Sequence, residues 1–454
     1  MKLISTALAA FALFAVTVNG SSMLRMEAES KNKTSHHHSQ HAVQTQQPDQ
    51  QQTQQQDQTQ QQDQTQQQDQ SQQQDQTQQQ NQTQQQQLSS SGSTNTGTAS
   101  SNATTTSSGS STSAGTSTST TSGSSCNLTG TYKAGTDISS CASITIGSLT
   151  VPAGVTLDLS KAKSGATITF TGITTFGTQK WAGPLVLLSG SDLTVKGSGT
   201  LDGQGAWYWQ QGQSITRPVF FRLQNVANSK LSGFTLKNSP FRTFSLVTCQ
   251  QTTITGLLLD SRAGDGIAKN TDGFDLTKND HITITGNKIY NQDDCLAMQS
   301  STNTVFSNNY CCGGHGVSIG SLGGTAVNQG STVQGLTVQN NTIVNSDNGI
   351  RIKTIIGMQG LVSDVKYVQN KLSNVKNAIV MHSDYSKTKG GYTGSPTSAV
   401  TIQGVTISGL TGSATNLYDI CANSKVVSDW TFSGIEVSAS ATGKATGQPN
   451  SIDV

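Results

Sequence analysis

From Cys126 onward the chain alternates apolar and polar positions in short runs, each broken by Gly or Asn. The pieces resemble one another: SDLTVKGSGTLDG from Ser191, SKLSGFTLKNSP from Ser229, QTTITGLLLDSR from Gln251, NDHITITGNKIYN from Asn279, STVQGLTVQNNTIVN from Ser331 and SAVTIQGVTISG from Ser398. Ile282 with Ile284, and Val405 with Ile407, keep the two-residue period of a strand. Asn and Gly tolerate left-handed backbone angles and so mark the corners. The pieces recur at roughly 22 to 30 residues with no helical period between them, which signals a solenoid. Several short strands per repeat predict an all-β parallel β-helix over 126–454. Ladders of Val, Ile and Leu should fill it, with Thr, Asn and Lys outside. A sandwich or barrel would need hairpins with two-residue loops, and few such turns separate these strands.

The pattern is absent upstream. Ala42 to Gln87 is Gln-rich with repeats such as DQTQQQ, and Leu88 to Ser125 is almost entirely Ser, Thr and Gly. Neither offers enough apolar surface to offset the entropy of ordering a backbone, so 21–125 reads as a disordered low-complexity linker. Residues 1–20, MKLISTALAAFALFAVTVNG, have a basic start at Lys2, an apolar run from Leu3 to Val16 and small residues near a cleavage point. This is the pattern of a secretory signal peptide. No later apolar run is long enough to span a bilayer, so a secreted, extracellular monomer with no membrane partner is expected. Sequons at Asn81, Asn102, Asn127 and Asn340 are glycosylation candidates, Asn127 and Asn340 within the folded part. The run His36 to His38 reads as part of a polar tail rather than a metal site.

The 27 basic and 25 acidic residues leave a formal charge of +2, which gives no reason to propose nucleic acid. Export permits disulfides among the seven cysteines. Cys126 with Cys141, and Cys295 with Cys311 or Cys312, are short-loop candidates, and an odd count leaves at least one thiol over. Zinc ranks low because no CxxC occurs.

The chemistry sits in NTDGFD at Asn270–Asp275, QDDC at Gln292–Cys295, GGHG at Gly313–Gly316 and RIKT at Arg351–Thr354. One coil of a β-helix returns the chain to the same face about 4.8 Å higher. Asp272 and Asp293 are 21 residues apart, and Asp293 and His315 are 22 apart. Arg351 and Tyr385 follow at one coil plus a loop each. Asp272, Asp293, Asp294, His315, Arg351 and Lys353 should therefore share one outer face. Clustered carboxylates cannot all ionise freely, so one is expected to stay protonated as an acid while another acts as a base. That is the equipment of glycoside hydrolysis. Arg351 and Lys353 suit docking of a sugar acid. Taken singly, each Asp is more often a corner residue, His315 a loop histidine and Arg351 a solvated charge; it is the combination that points to function. Calcium is a rival occupant of clustered Asp, and the adjacent cations argue against it.

These four motifs, in this order and spacing, resemble the signature segments of polygalacturonases, the pectin-cleaving glycoside hydrolases of family 28. GQGAWYW from Gly203, RPVFFRL from Arg217 and NSPFRTFSL from Asn238 resemble that family too. The resemblance implies a right-handed, single-stranded parallel β-helix and a secreted endo-polygalacturonase. It would cut α-1,4 links of polygalacturonate with inversion and need no metal or cofactor. It implies Asp293 as general acid, Asp272 and Asp294 as holders of the attacking water, and His315 beside the acid. Arg351, Lys353, Tyr385 and Asn270 form the implied substrate-binding set, and Cys295 pairs with Cys311. Fungal members carry further cysteine pairs near the C-terminus, whereas Cys421 here has no nearby partner. The competing readings are a calcium-dependent pectate lyase and a non-catalytic pectin-binding wall protein.

Overall fold

The computed structural model describes residues 124–454, and the expected signal peptide, nearly all of the expected linker, His36–His38, Asn81 and Asn102 lie outside the described residues. The first strand, Ser124–Thr131, starts just ahead of the expected Cys126 boundary. Strands then follow one another to Glu436–Thr446, and nearly every pairing between them is parallel. The exceptions are the small antiparallel pair Lys371–Ser386 with Gly391–Tyr392 and one isolated bridge. This is the parallel β-helix that the repeat pattern predicts. A five-residue helix, Gly205–Trp209, interrupts it within GQGAWYW. Among the described residues no helix is long and apolar enough to cross a membrane.

Each coil contributes strands to separate parallel stacks. The stack that positions the site runs through Phe221–Ala227, Phe244–Val247, Phe274–Thr277, Leu296–Met298, Val317–Leu322, Asn348–Ile355 and Lys371–Ser386. Its register puts like residues over like. Phe221, Phe244 and Phe274 are opposite one another and point inward, with ring centroids 5.3 and 5.1 Å apart. Leu296, Val317, Ile350 and Ile379 continue that row, and all are buried. Stacked aromatic rings add to the burial of apolar area that drives folding. The strand period leaves an outward row between the inward ones. It reads Arg222, Ser245, Asp275, Ala297, Ser318, Arg351, Val380 and Asp419.

The interior is less purely aliphatic than the alternation suggests. Asn287, Asn309, Asn341 and Asn370 form a buried ladder at one corner. The Asn309 Oδ1 accepts from the Asn287 backbone N–H at 2.9 Å, and the Asn341 Oδ1 accepts from the Asn309 N–H at 2.9 Å. Each Nδ2 donates to a carbonyl of a preceding coil: Ile284 for Asn309, Phe306 for Asn341 and Val338 for Asn370. The residues just before several ladder members, Asn308, Asn340 and Gln369, take positive φ, which turns the chain into the next strand. Asn127 and Asn340 are exposed. Asn309→Ala should strand the Asn287 N–H and the Ile284 carbonyl, costing about 2 kcal/mol. Urea denaturation of the variant beside the parent measures this, and an unchanged midpoint would show the ladder to be dispensable.

The structure joins Cys126 to Cys141 and Cys295 to Cys311, leaving Cys249, Cys312 and Cys421 as free thiols. Cys249 is buried in the core, where desolvation pushes its thiol up to about 11 and makes it inert.

Candidate active site

The polar motifs occupy the corners that lead into the strand stack. Asp272 precedes Phe274–Thr277, Asp293 and Asp294 precede Leu296–Met298, and His315 precedes Val317–Leu322. Arg351 and Lys353 lie on Asn348–Ile355 itself. The register differs by one residue from the simple spacing. Phe274 lies opposite Leu296, and the Gly273 N–H donates to the Asp294 carbonyl, so Asp294 rather than Asp293 follows Asp272 along the stack. Asp293 leaves that row and meets His315, whose Nδ1 is 2.9 Å from its Oδ1.

The glycines of GGHG allow that meeting. A Cβ on Gly314 would lie 2.0 Å from the Asp293 carbonyl oxygen, and one on Gly316 (φ 82°) would lie 2.0 Å from that of Asn348. Without side chains there, the His315 N–H reaches the Asp293 carbonyl at 2.9 Å. The Asp293 Oδ1 also accepts from the Asp294 N–H at 2.8 Å, and Oδ2 faces the Asn270 Nδ2 at 3.3 Å. Asn270 in turn accepts from the Arg217 Nη2 at 2.8 Å. Its amide is thus engaged by both Arg217 and Asp293.

Asp294 is the paired carboxylate. Arg351 Nη2 donates to its Oδ1, Lys353 Nζ donates to Oδ2 at 3.3 Å, and Ser318 Oγ donates to Oδ1 at 2.8 Å. Arg351 Nε donates to the same Ser318 hydroxyl at 2.8 Å. The three partners sit on the outward rows of successive coils. Ser318 is directly opposite Arg351, and Lys353 is two residues on, facing the same way. The Lys353 ammonium also lies 5.6 Å from the centroid of Tyr385, a mostly buried ring.

The charge distribution departs from the expectation for the acid. Burial is the largest influence on Asp272 and, with repulsion from Asp293 and Asp275, pushes its carboxyl well up. Burial also acts to raise Asp293, but the imidazolium of His315 outweighs it, aided by Lys353, and holds that carboxyl well below the usual range. His315 responds in the opposite sense: burial lowers it, and the stronger pull of Asp293 raises it. The proton near Asp293 therefore rests on its imidazole partner in the free protein, and the two titrate as a pair.

The structure adds groups that the motif spacing does not single out. Asp275 is a fourth buried carboxylate, pushed up to about 6 by burial, although Arg242 lies 3.4 Å away and opposes the shift. Arg217, Arg222 and Arg242 bring further positive charge to the same cluster, as their mutual influences with Asp272, Asp275 and Asp293 show. Tyr392, exposed on the small antiparallel hairpin, lies within reach of the Arg351 and Lys353 charges and sits edge-on to Tyr385 at 6.0 Å. Its sequence signal was the aromatic in SDYSKTKGGYTG, seven residues past Tyr385. Counting His315, six cationic side chains cluster with four carboxylates. Such a surface attracts an anionic polymer.

A family model described as Glycosyl hydrolases family 28 matches residues 141–452. The chain is 43% identical over 327 residues to endopolygalacturonase I of Aspergillus oryzae, spanning 70% of this chain and 87% of the relative. It is 41% identical over 326 residues to the polygalacturonase of Saccharomyces cerevisiae, spanning 70% and 89%. Among solved structures, endopolygalacturonase I of Stereum purpureum complexed with two galacturonates superposes with a TM-score of 0.54 at 28% identity, over 69% of this chain and 99% of that one. With the β-helix, the corner carboxylates and these relatives in agreement, the chain belongs to glycoside hydrolase family 28.

Proposed function

We propose that this chain is an endo-polygalacturonase that hydrolyses internal α-1,4 links of polygalacturonate with inversion. One observation carries the chemistry: Asp294, bridged by Arg351 and Lys353, lies beside a raised Asp272 and a proton-sharing Asp293–His315 pair. The resemblance to the endopolygalacturonase of Aspergillus oryzae and the polygalacturonase of Saccharomyces cerevisiae supports the substrate.

In this reading Asp293 delivers the proton to the leaving glycosidic oxygen, drawing on the proton shared with His315. Asp294, held by Arg351, Lys353 and Ser318, accepts a proton from the attacking water, and Asp272 orients that water. Arg351, Lys353 and the hydroxyl of Tyr392 receive the galacturonate carboxylate. Tyr385 supports Lys353 from below. Export to the extracellular space and action as a monomer belong to the same proposal, resting on the apolar segment from Leu3 to Val16.

The test is a digest of demethylated pectin with the products sized over time. Early oligomers of many lengths, each with a new reducing end and no near-ultraviolet absorption, are the expected result. Release of monomers alone would mean terminal cutting. An absorbing, chelator-sensitive product would mean elimination, and binding without new reducing ends would mean a wall-binding protein.

A further inference from the structure

A second cluster lies one coil beyond the active-site row. His382 on Lys371–Ser386 stands directly opposite Cys421 on Thr411–Cys421. One ring nitrogen of His382, one carboxylate oxygen of Asp384 and the Sγ of Cys421 lie within 4.8 Å of one another. His382 and Asp384 are at least nine-tenths buried, while Cys421 is a partly exposed free thiol. The His382 Nδ1 faces the Asp384 Oδ1 at 2.6 Å. Its Nε2 is 3.3 Å from the Asp419 Oδ1 yet makes no hydrogen bond of acceptable geometry. The Asp384 Oδ2 is fixed by the Gly394 N–H at 2.6 Å. None of these groups is used in the hydrolysis described above.

Imidazole, thiol and carboxylate in contact are a donor set for a borderline-soft cation, which favours nitrogen and sulfur together. We propose that His382 Nδ1, Asp384 and Cys421 form a binding site for one divalent cation of the zinc class, with water in the fourth position. Asp419 then accepts a hydrogen bond from the Nε2–H, as the outer carboxylate that commonly orients a ligating histidine. The partly exposed thiol and Asp419, whose side chain is 37% exposed, give the ion a way in. The ring of Tyr392 stacks on His382 with centroids 3.5 Å apart and planes 14° apart. An ion on His382 therefore anchors the hairpin that carries Tyr392 near Arg351. The isolated alternation of the sequence hid the site, because HSD and DIC are 37 residues apart and contain no CxxC.

Cobalt(II) titrated into the chelator-treated full chain tests the assignment. One equivalent should produce a thiolate-to-cobalt absorption in the near ultraviolet that zinc chloride removes. The band should be lost in Cys421→Ser and kept in Cys312→Ser, and the histidines of the tail cannot produce it. A second measurement needs no variant. Zinc at about tenfold over its dissociation constant should slow alkylation of Cys421 about tenfold, read by peptide mass, and leave Cys312 unaffected. No charge-transfer band, a band surviving Cys421→Ser, or equal alkylation of Cys421 with and without zinc would each overturn the site.

Discussion

Asp293→Asn is expected to lower kcat on polygalacturonate about 10³-fold, the usual range for loss of a general acid, with KM changed far less. The amide preserves the shape of the carboxyl and can still accept from the Asp294 N–H, which now reaches the Asp293 Oδ1 at 2.8 Å, so the corner should keep its fold. What it cannot do is share a proton with His315. The measurement is reducing-end release beside a circular dichroism spectrum, and near-normal turnover in a folded variant would remove Asp293 from the role. The pH profile gives a second reading of the same pair. His315 is raised from 6.5 by Asp293, so the pair holds its proton to higher pH than a free imidazole would, and kcat/KM should fall as pH climbs through that raised value. In Asp293→Asn the attraction that raises His315 is gone, and its titration should move down toward 6.5 or below. The same shifts set stability. The contribution of His315 is full below about 6.5 and is lost as pH rises through its folded value. That of Asp293, whose carboxyl is depressed, is present above about 4 and is lost as pH falls through its folded value. Asp272 works the other way, since its raised carboxyl costs stability once pH exceeds its unfolded value.

The β-helix was legible because its signal is local and repeated. Ile282 and Ile284, two apart in a run of threonines, are both fully buried, as alternation requires. The site was legible for the same reason, since one coil converts a sequence interval into a spatial neighbour. Precision failed where side chains leave the coil geometry. The interval from Asp272 to Asp293 looked like one coil, but the register follows the strand pair Phe274–Leu296 and places Asp294 there instead. A one-residue slip of this kind is invisible to interval counting when two aspartates are adjacent. Asp275 ends NTDGFD and Arg242 stands in NSPFRTFSL, but neither falls into the one-coil series; only the stacking of Phe244–Val247, which follows Arg242, on Phe274–Thr277 brings them to 3.4 Å. The bond from Arg217 to the Asn270 amide is likewise invisible locally, because the two are 53 residues apart. The buried asparagine ladder looked like a set of surface corners because asparagine at a turn has the same sequence signature whether its side chain points out or in.

Arg351→Ala should damage stability and activity together, which separates it from an ordinary substrate-binding residue. Its side chain is 10% exposed and that of Asp294 only 3%, so truncation leaves a buried carboxylate short of its main partner. Breaking such a pair costs about 3–5 kcal/mol, and the low end is expected because Lys353 and Ser318 still reach Asp294. The free-energy loss comes from the stranded charge rather than from the lost contact, which makes a direct prediction. Adding Asp294→Asn to Arg351→Ala should restore about 2 kcal/mol, since the neutral amide no longer needs a cation, whereas independent sites would only add their losses. Activity should not return, because the carboxylate proposed to activate the water and a cation proposed to receive the galacturonate carboxylate are then both missing. Arg351→Lys keeps the charge but loses the fork that bonds Ser318 and Asp294 at once, so it should fold better than the alanine variant and still bind polygalacturonate weakly. Urea denaturation of the two single variants, the double variant and the lysine variant, run beside binding of a galacturonate oligomer, resolves these effects. A double variant no more stable than Arg351→Ala would show that Asp294 is not the charge the guanidinium holds in place.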